Sequence, residues 1–276
     1  MTIPAGFLGW LVSKITRIKY ITSLHGSDVP HHSKNKIMLL IQPVVRKIWK
    51  DSNMITVVSK TLLNIGSETL NLTHKQIIII PNGIESDFIE YKSQHQSIGN
   101  IFTFVSTSRL FEFKGIQDII KSLAIVNQIQ KGFSFQYKII GDGPYLNALK
   151  EISLAYSLNN KIFFLGYLNK DKIIRELDNS HVFILTSYYE SFGIVYLQAF
   201  ARGLPIICSR NTGISEIIND TLGICVDAGN INQITNAITT IFSKYPMYNP
   251  ETIKNKANEY TWDKISQKYI NIYKLI

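Results

Sequence analysis

Apolar positions along the chain follow two alternating rhythms. Short apolar runs such as "KYITSLHG", "NMITVVS" and "QIIIIPNGI" close on glycine, serine or Pro81-Asn82-Gly83, and predict strands stopped by turns. Between them, residues 33–50 and "KTLLNIGSETL" have the pattern of helices. The alternation is more regular after residue 100. "IFTFVSTSRL", "FQYKIIGDGP", "KIFFLG", "HVFILTS", "LPIICS" and "LGICVDA" predict strands. "GIQDIIKSLAIVNQI", "YLNALKEISLAYSL", "KDKIIRELDNS" and the segment from Gly193 predict helices.

Short apolar strands alternating with helices indicate an α/β fold with parallel sheets covered on both faces. In such sheets, ligands bind beyond the carboxyl ends of the strands. One polar stretch without apolar periodicity, "YKSQHQSIGN" at residues 91–100, is the expected linker.

Composition adds bounds. With 276 residues, 45% of them hydrophobic, the chain can fill two compact domains. A stretch of about 18 consecutive apolar residues is absent from the sequence, so no transmembrane helix is expected. The opening "MTIPAGFLGWLVSK" has neither a basic leader nor a small-residue cleavage site, so no signal peptide is expected. Cys208 and Cys225 each fall in a strand-like run and are expected as buried core thiols, which suits a reducing cytoplasm.

The net charge of +9 is uneven. Residues 1–80 carry ten Lys/Arg against three Asp/Glu, and residues 81–276 carry nineteen against seventeen. The basic first third fits an anionic partner or, equally, a solvated lysine-rich face.

Four loops at predicted strand ends stand out: "SRLFEFKG", "GDGP", "GYLN" and "SYYESFG". The first puts Arg109 and Lys114 just before a helix, as a phosphate site requires. Gly115 beside them allows close backbone approach, which argues against two ordinary surface charges. "GDGP" is not the G-x-G-x-x-G dinucleotide fingerprint, which disfavours a nicotinamide dehydrogenase. In the fourth loop, Glu190 precedes Ser191-Phe192-Gly193 at the mouth of a helix. Glu216 is expected as a helix cap, and Asp28 as a cap or turn residue. His31, His32, His74, His95 and His181 lack metal-ligand spacing, and there is no D-x-D motif.

Several ordered segments together carry a family resemblance. "STSRLFEFKGIQDIIKSLAIV", "YKIIGDGPYLNALK", "FLGYLNKDKIIRELDNSHVFILTSYYESFGIVYLQAFARGLPIICSRNTGISEII" and "LGICVDAGNINQITNAI" resemble the carboxyl-terminal domain of family 4 glycosyltransferases. "YITSLHGSDV" and "IIIIPNGIESDFI" resemble parts of that family's amino-terminal domain. The resemblance implies a GT-B fold, with two Rossmann-like domains of parallel sheet, the first incomplete. Residues 1–92 would be a partial acceptor-side domain and 98–260 the nucleotide-sugar-binding domain. Residues 261–276 would form a helix packing back on the first.

The resemblance also implies roles. Arg109 and Lys114 match the basic pair on the donor diphosphate. Glu190 matches the glutamate facing the donor sugar, and Ser191, Phe192 and Gly193 supply backbone N–H groups to it. Gly141 and Gly166 match loops bordering the nucleotide pocket. Gln198 stands where the family has a second glutamate, on the nucleotide ribose; an amide there keeps an acceptor but loses charge, and a solvent-facing helix residue is the other reading. His25 matches the histidine at the family's interdomain cleft, near acceptor and donor sugar; a turn histidine is the alternative.

The activity so implied is sugar transfer from a nucleotide-diphosphate donor, with retention, to a glycan or lipid-linked acceptor in cell-surface polysaccharide synthesis. No cofactor, metal or nucleic acid is expected. The expected location is the cytoplasm, peripheral to the inner face of a membrane through the basic first third. Two other readings stay open. One is a weakly active nucleotide-sugar-binding subunit whose missing amino-terminal half comes from a protein partner. The other is a nucleotide-sugar epimerase of GT-B fold.

Overall fold

The structure, a computed structural model, describes residues 2–26, 40–70, 77–90, 101–130 and 132–276. The linker at 91–100, Asp28, His31, His32, His74 and His95 lie outside the described residues. The chain divides into two compact units. The first holds Met1–Gly83, Glu190–Phe192 and Trp262–Ile276, and the second holds Ile84–Tyr189 and Gly193–Thr261.

In the first unit, β1 (Ile21–Leu24), β2 (Met54–Val57) and β3 (Ile77–Ile79) form a parallel sheet in that order. A helix not expected from the sequence, α1 (Phe7–Thr16), precedes it. None of its residues is buried. Trp10 Nε1 donates to Asp51 Oδ2 at 2.9 Å and Lys14 pairs with the same oxygen, which fastens α1 to α2 (Gln42–Asp51). Pro43 opens α2, where its missing N–H has no helical partner to lose. The unit continues with α3 (Lys60–Leu70). Met54 and Ile80 pack against Ile265 and Ile272 of the carboxyl-terminal helix, Trp262–Tyr273. Gly83 is required here, because a Cβ would lie 2.5 Å from the Trp262 ring.

The second unit starts with the short α4 (Asp87–Glu90), followed by β4 (Phe102–Thr107), α5 (Ile116–Ile129), β5 (Phe135–Ile140), α6 (Leu146–Ala155), β6 (Ile162–Gly166) and α7 (Lys170–Asp178). It continues with β7 (Val182–Leu185), α8 (Ile194–Ala201), β8 (Ile206–Ser209), β9 (Gly223–Val226), α9 (Ile231–Ser243) and α10 (Pro250–Asn258); the carboxyl-terminal helix of the first unit is then α11. Its strands pair in parallel in the order β6-β5-β4-β7-β8-β9. Every residue of β7 and β8 is buried, which is why these strands read as unbroken apolar runs. Helix α5 packs on α9 and α6, and α8 packs on α10 and α4. Asparagine begins three helices: the side chains of Asn169, Asn230 and Asn249 accept from backbone N–H groups of the first turn. The cap at residues 212–217 is made by Thr212 and Ser215, not by Glu216.

Two buried polar contacts hold this unit. Arg202 and Asp178 meet through two hydrogen bonds, Nε to Oδ1 at 2.7 Å and Nη2 to Oδ2 at 3.1 Å, and Arg202 Nη1 donates to Phe88 O. The guanidinium thus joins α8, α7 and α4. His181 is 7% exposed, stacks on Phe102, and accepts at Nδ1 from the Thr103 N–H at 2.9 Å. Burial lowers its pKa from 6.5 to about 4.

Both contacts predict stability effects. Arg202→Ala leaves the Asp178 carboxylate buried and alone, and lowers unfolding free energy by about 3–5 kcal/mol in urea titration; Asp178→Leu in the same background recovers most of it. For His181 the folded pKa is the lower one. Above pH 6.5 the ring is neutral in both states and contributes no pH dependence. As pH falls from 6.5 towards about 4, the unfolded chain takes up the proton first and stability drops. The full effect is on the order of 3 kcal/mol. His181→Asn, which keeps an acceptor for Thr103, flattens this slope; an unchanged slope refutes the assignment.

Candidate functional site

The order of the second sheet places β4 and β7 side by side while the chain leaves them toward opposite edges. Their carboxyl ends therefore flank the crevice at which such sheets bind ligands. The loop after β4 runs from Ser108 through a 3-10 turn at Glu112–Lys114 to Gly115, and the loop after β7 starts at Thr186. The two loops touch through backbone. A Cβ on Gly115 would strike the Thr186 carbonyl oxygen, and Gly115 has φ +71°. Thr186 Oγ1 donates to Gly115 O at 3.2 Å, and Tyr188 N donates to Phe113 O at 2.8 Å. Tyr188 Oη also donates to Asp118 Oδ2; burial, then this bond and the charge of Asp118, push the phenol up to about 12.

The loop after β5 wraps the same region. Gly141, at φ +128°, packs against Ser108 O, where a Cβ would not fit. Leu110 N donates to Asp142 O, Tyr145 N to Leu110 O, and Gly141 N to Gly166 O at the end of β6. Gly141 and Gly166 thereby set how the ends of β4, β5 and β6 approach one another.

Arg109 and Lys114 project from the first of these loops. Arg109 Cζ stands 5.1 Å from the Phe111 ring centroid and Lys114 Nζ 5.3 Å from that of Phe113. The two rings stack on each other, so aromatic faces hold both cations in place. Gly193, at φ +86°, caps α8. Its left-handed backbone favours glycine, and the helix start that follows has a favourable dipole for an anion. Gln198 lies just over one turn into α8, half-buried between buried Leu197 and Ala199.

Three further residues were not singled out from the sequence. The buried hydroxyls Thr107 Oγ1, Ser108 Oγ and Ser187 Oγ have no hydrogen-bond partner among the described residues. All three sit at the ends of β4 and β7. A buried hydroxyl that neither water nor a ligand meets costs about 1–3 kcal/mol, and these three fall where the two strands release their loops. Only the strand order brings them together, and local sequence does not state it.

The remaining predicted residues belong to the first unit. His25 follows β1 and is partly buried, with Nδ1 3.1 Å from Asn82 Oδ1. Ser191 Oγ donates to His25 O, and Ser59 Oγ donates to Ser191 O, each at 2.7 Å. Glu190 is partly buried and Phe192 is 2% exposed. Among the described residues no cluster of three His, Cys, Asp or Glu side chains could hold a metal ion, and no helix is long and apolar enough to cross a membrane.

Comparison with known proteins accords with this architecture. Residues 87–259 match the model of the family described as glycosyl transferases group 1. The chain is 24% identical to the N-acetyl-alpha-D-glucosaminyl L-malate synthase of Bacillus anthracis, over 99% of the chain and 72% of the relative. In fold it is similar to sucrose-phosphate synthase from Thermosynechococcus elongatus, with TM-score 0.83 at 19% identity, covering 98% of this chain and 71% of that one. It is also similar to an Anabaena protein solved in complex with UDP and glucose, with TM-score 0.78 at 19% identity, covering 99% and 76%. The fold is GT-B, and the chain belongs to the group 1 glycosyltransferase family.

Proposed function

We propose that this glycosyltransferase uses a nucleotide-diphosphate sugar and transfers the sugar with retention to a glycan or lipid-linked acceptor in cell-surface polysaccharide synthesis. The observation that carries the reading is the crevice at the ends of β4 and β7, where the loop that carries Arg109 and Lys114 meets the loop after β7 through backbone. Two cations match a diphosphate better than any neutral ligand. The Anabaena neighbour, solved with UDP and glucose, supports the same ligand class.

In this reading the bond from the anomeric carbon to the diphosphate oxygen breaks as an acceptor hydroxyl bonds to the same face of that carbon. The acceptor proton passes to the departing phosphate oxygen, and charge builds on the diphosphate. Arg109, Lys114 and the N–H groups around Ser191, Phe192 and Gly193 stabilise that charge, so the chemistry needs no metal. Glu190 accepts from sugar hydroxyls and so orients the donor. Gln198 accepts from a ribose hydroxyl without charge assistance. Gly141 and Gly166 leave room for the nucleotide, and His25 serves the sugar and acceptor end. The basic first third suits a cytoplasmic enzyme held at an anionic membrane face.

Arg109→Ala and Lys114→Ala each weaken binding of UDP-glucose or GDP-mannose, whichever binds, by ~1.5–3 kcal/mol in calorimetry, roughly tenfold to a hundredfold. Unchanged affinity in both variants removes the donor assignment. Glu190→Gln keeps the melting temperature and loses most transfer, while Gln198→Glu tightens the donor by about tenfold or less without changing which sugar binds. Full transfer by the Glu190 variant, or no tightening at position 198, contradicts the corresponding role.

A further inference from the structure

The edge of the second sheet carries chemistry that sugar transfer does not use. Cys208 of β8 and Cys225 of β9 are direct register partners in parallel strands, and their Sγ atoms are 3.6 Å apart. Register partners in a parallel sheet present side chains on one face, with backbones about 4.8 Å apart. That spacing falls inside the Cα range a disulfide spans, about 4.4–6.8 Å. The sulfurs have to close from 3.6 Å to the disulfide length of about 2.05 Å. Strand β9 ends the sheet order, so it can yield on its outer side.

The pair is also within reach of small reagents. Cys208 is buried, but Cys225 is only partly so, contrary to the expectation of two core thiols. Cys225 lines an open cavity of about 550 Å³ together with Arg210, Asn211, Ser215, Asn219 and Gly223. The two sulfurs are not equivalent. The contact between the two sulfurs lowers the Cys225 thiol despite partial burial, and the Arg210 charge adds to this; the same contact, then burial, raises Cys208. The exposed sulfur is thus the nucleophile and the buried one the second thiol.

We propose that Cys208 and Cys225 are a redox modification site, a cross-strand dithiol that a peroxide entering the neighbouring cavity converts to an intramolecular disulfide. The Cys225 thiolate attacks one peroxide oxygen, the O–O bond breaks, and the departing hydroxide leaves as water after taking a proton. Cys225 then carries a sulfenic acid. The Cys208 sulfur displaces that hydroxyl, which leaves as a second water with the Cys208 proton. Two thiols lose two electrons in total, the peroxide gains them, and a small thiol reductant reverses the change. The bond pins β9, and with it the turn at Gly229, whose Cα is close enough to Tyr188 that a Cβ would lie 2.7 Å from its Oη.

The test treats the folded chain with hydrogen peroxide, then alkylates remaining thiols under denaturing conditions and maps the peptides by mass. The expected product is one linked pair containing residues 208 and 225, lighter by two hydrogens and restored by dithiothreitol. Cys208→Ser traps Cys225 as a sulfenic acid that dimedone captures, whereas Cys225→Ser leaves Cys208 reduced under the same exposure. Both thiols alkylating fully after peroxide would overturn the proposal. So would a Cys225 oxidised irreversibly with no link to Cys208, or a link that forms only in urea. Peptide mapping of the unsubstituted chain decides the matter even if either variant fails to fold.

Discussion

The backbone contact between Gly115 and Thr186 is the constraint on which the second unit's chemistry depends. Two strands adjacent in the sheet but far apart in sequence must release their loops at one place, and side-chain volume there would hold the loops apart. Glycine removes the obstacle, and the Thr186 hydroxyl then closes on the Gly115 carbonyl. Gly141 repeats the solution one strand over, against Ser108. Three loops are thereby held by main chain rather than by long side chains. Arg109 and Lys114 stand on the first of these loops, each against an aromatic ring.

The unit treats buried polarity in two opposite ways. At α8, α7 and α4 the Arg202 guanidinium is matched by both oxygens of Asp178 and by a backbone carbonyl. A buried pair so fully matched is structural, and its removal is costly because one charge would remain unpaired. At the ends of β4 and β7 the hydroxyls of Thr107, Ser108 and Ser187 are left without partners. The same chain that satisfies one buried charge completely leaves these groups open, at about 1–3 kcal/mol each. The contrast separates a buried charge satisfied within the fold from hydroxyls that the fold itself leaves open.

Much of the fold was legible because its period was local. Parallel strands buried on both faces, such as "HVFILTS" and "LPIICS", betray themselves as unbroken apolar runs between helical segments. The family was legible for another reason: several short loops with unusual chemistry occur in one order. The ties of helix α1 to its unit, Trp10 and Lys14 to Asp51, join residues far apart in sequence, which local sequence does not state. The cap at Thr212 and Ser215 was hidden because Glu216, one position further, looked the better capping residue.

What local reading could not supply has a single cause, the order of strands across the sheet. The chain makes β4 through β9 in sequence, and nothing within any one strand states that β7 pairs with β4 rather than with β6. That one choice opens the crevice and brings the ends of β4 and β7, with residues 107, 108 and 187, to the same edge of the sheet. It also sends β8 and β9 outward in turn, and their register then sets Cys208 beside Cys225. A shift of one residue would put the two thiols on opposite faces of the sheet. The hydroxyl cluster and the cysteine pair are thus two outcomes of the same topological decision. Each is made of ordinary residues that acquire chemical meaning only from the neighbours this strand order gives them.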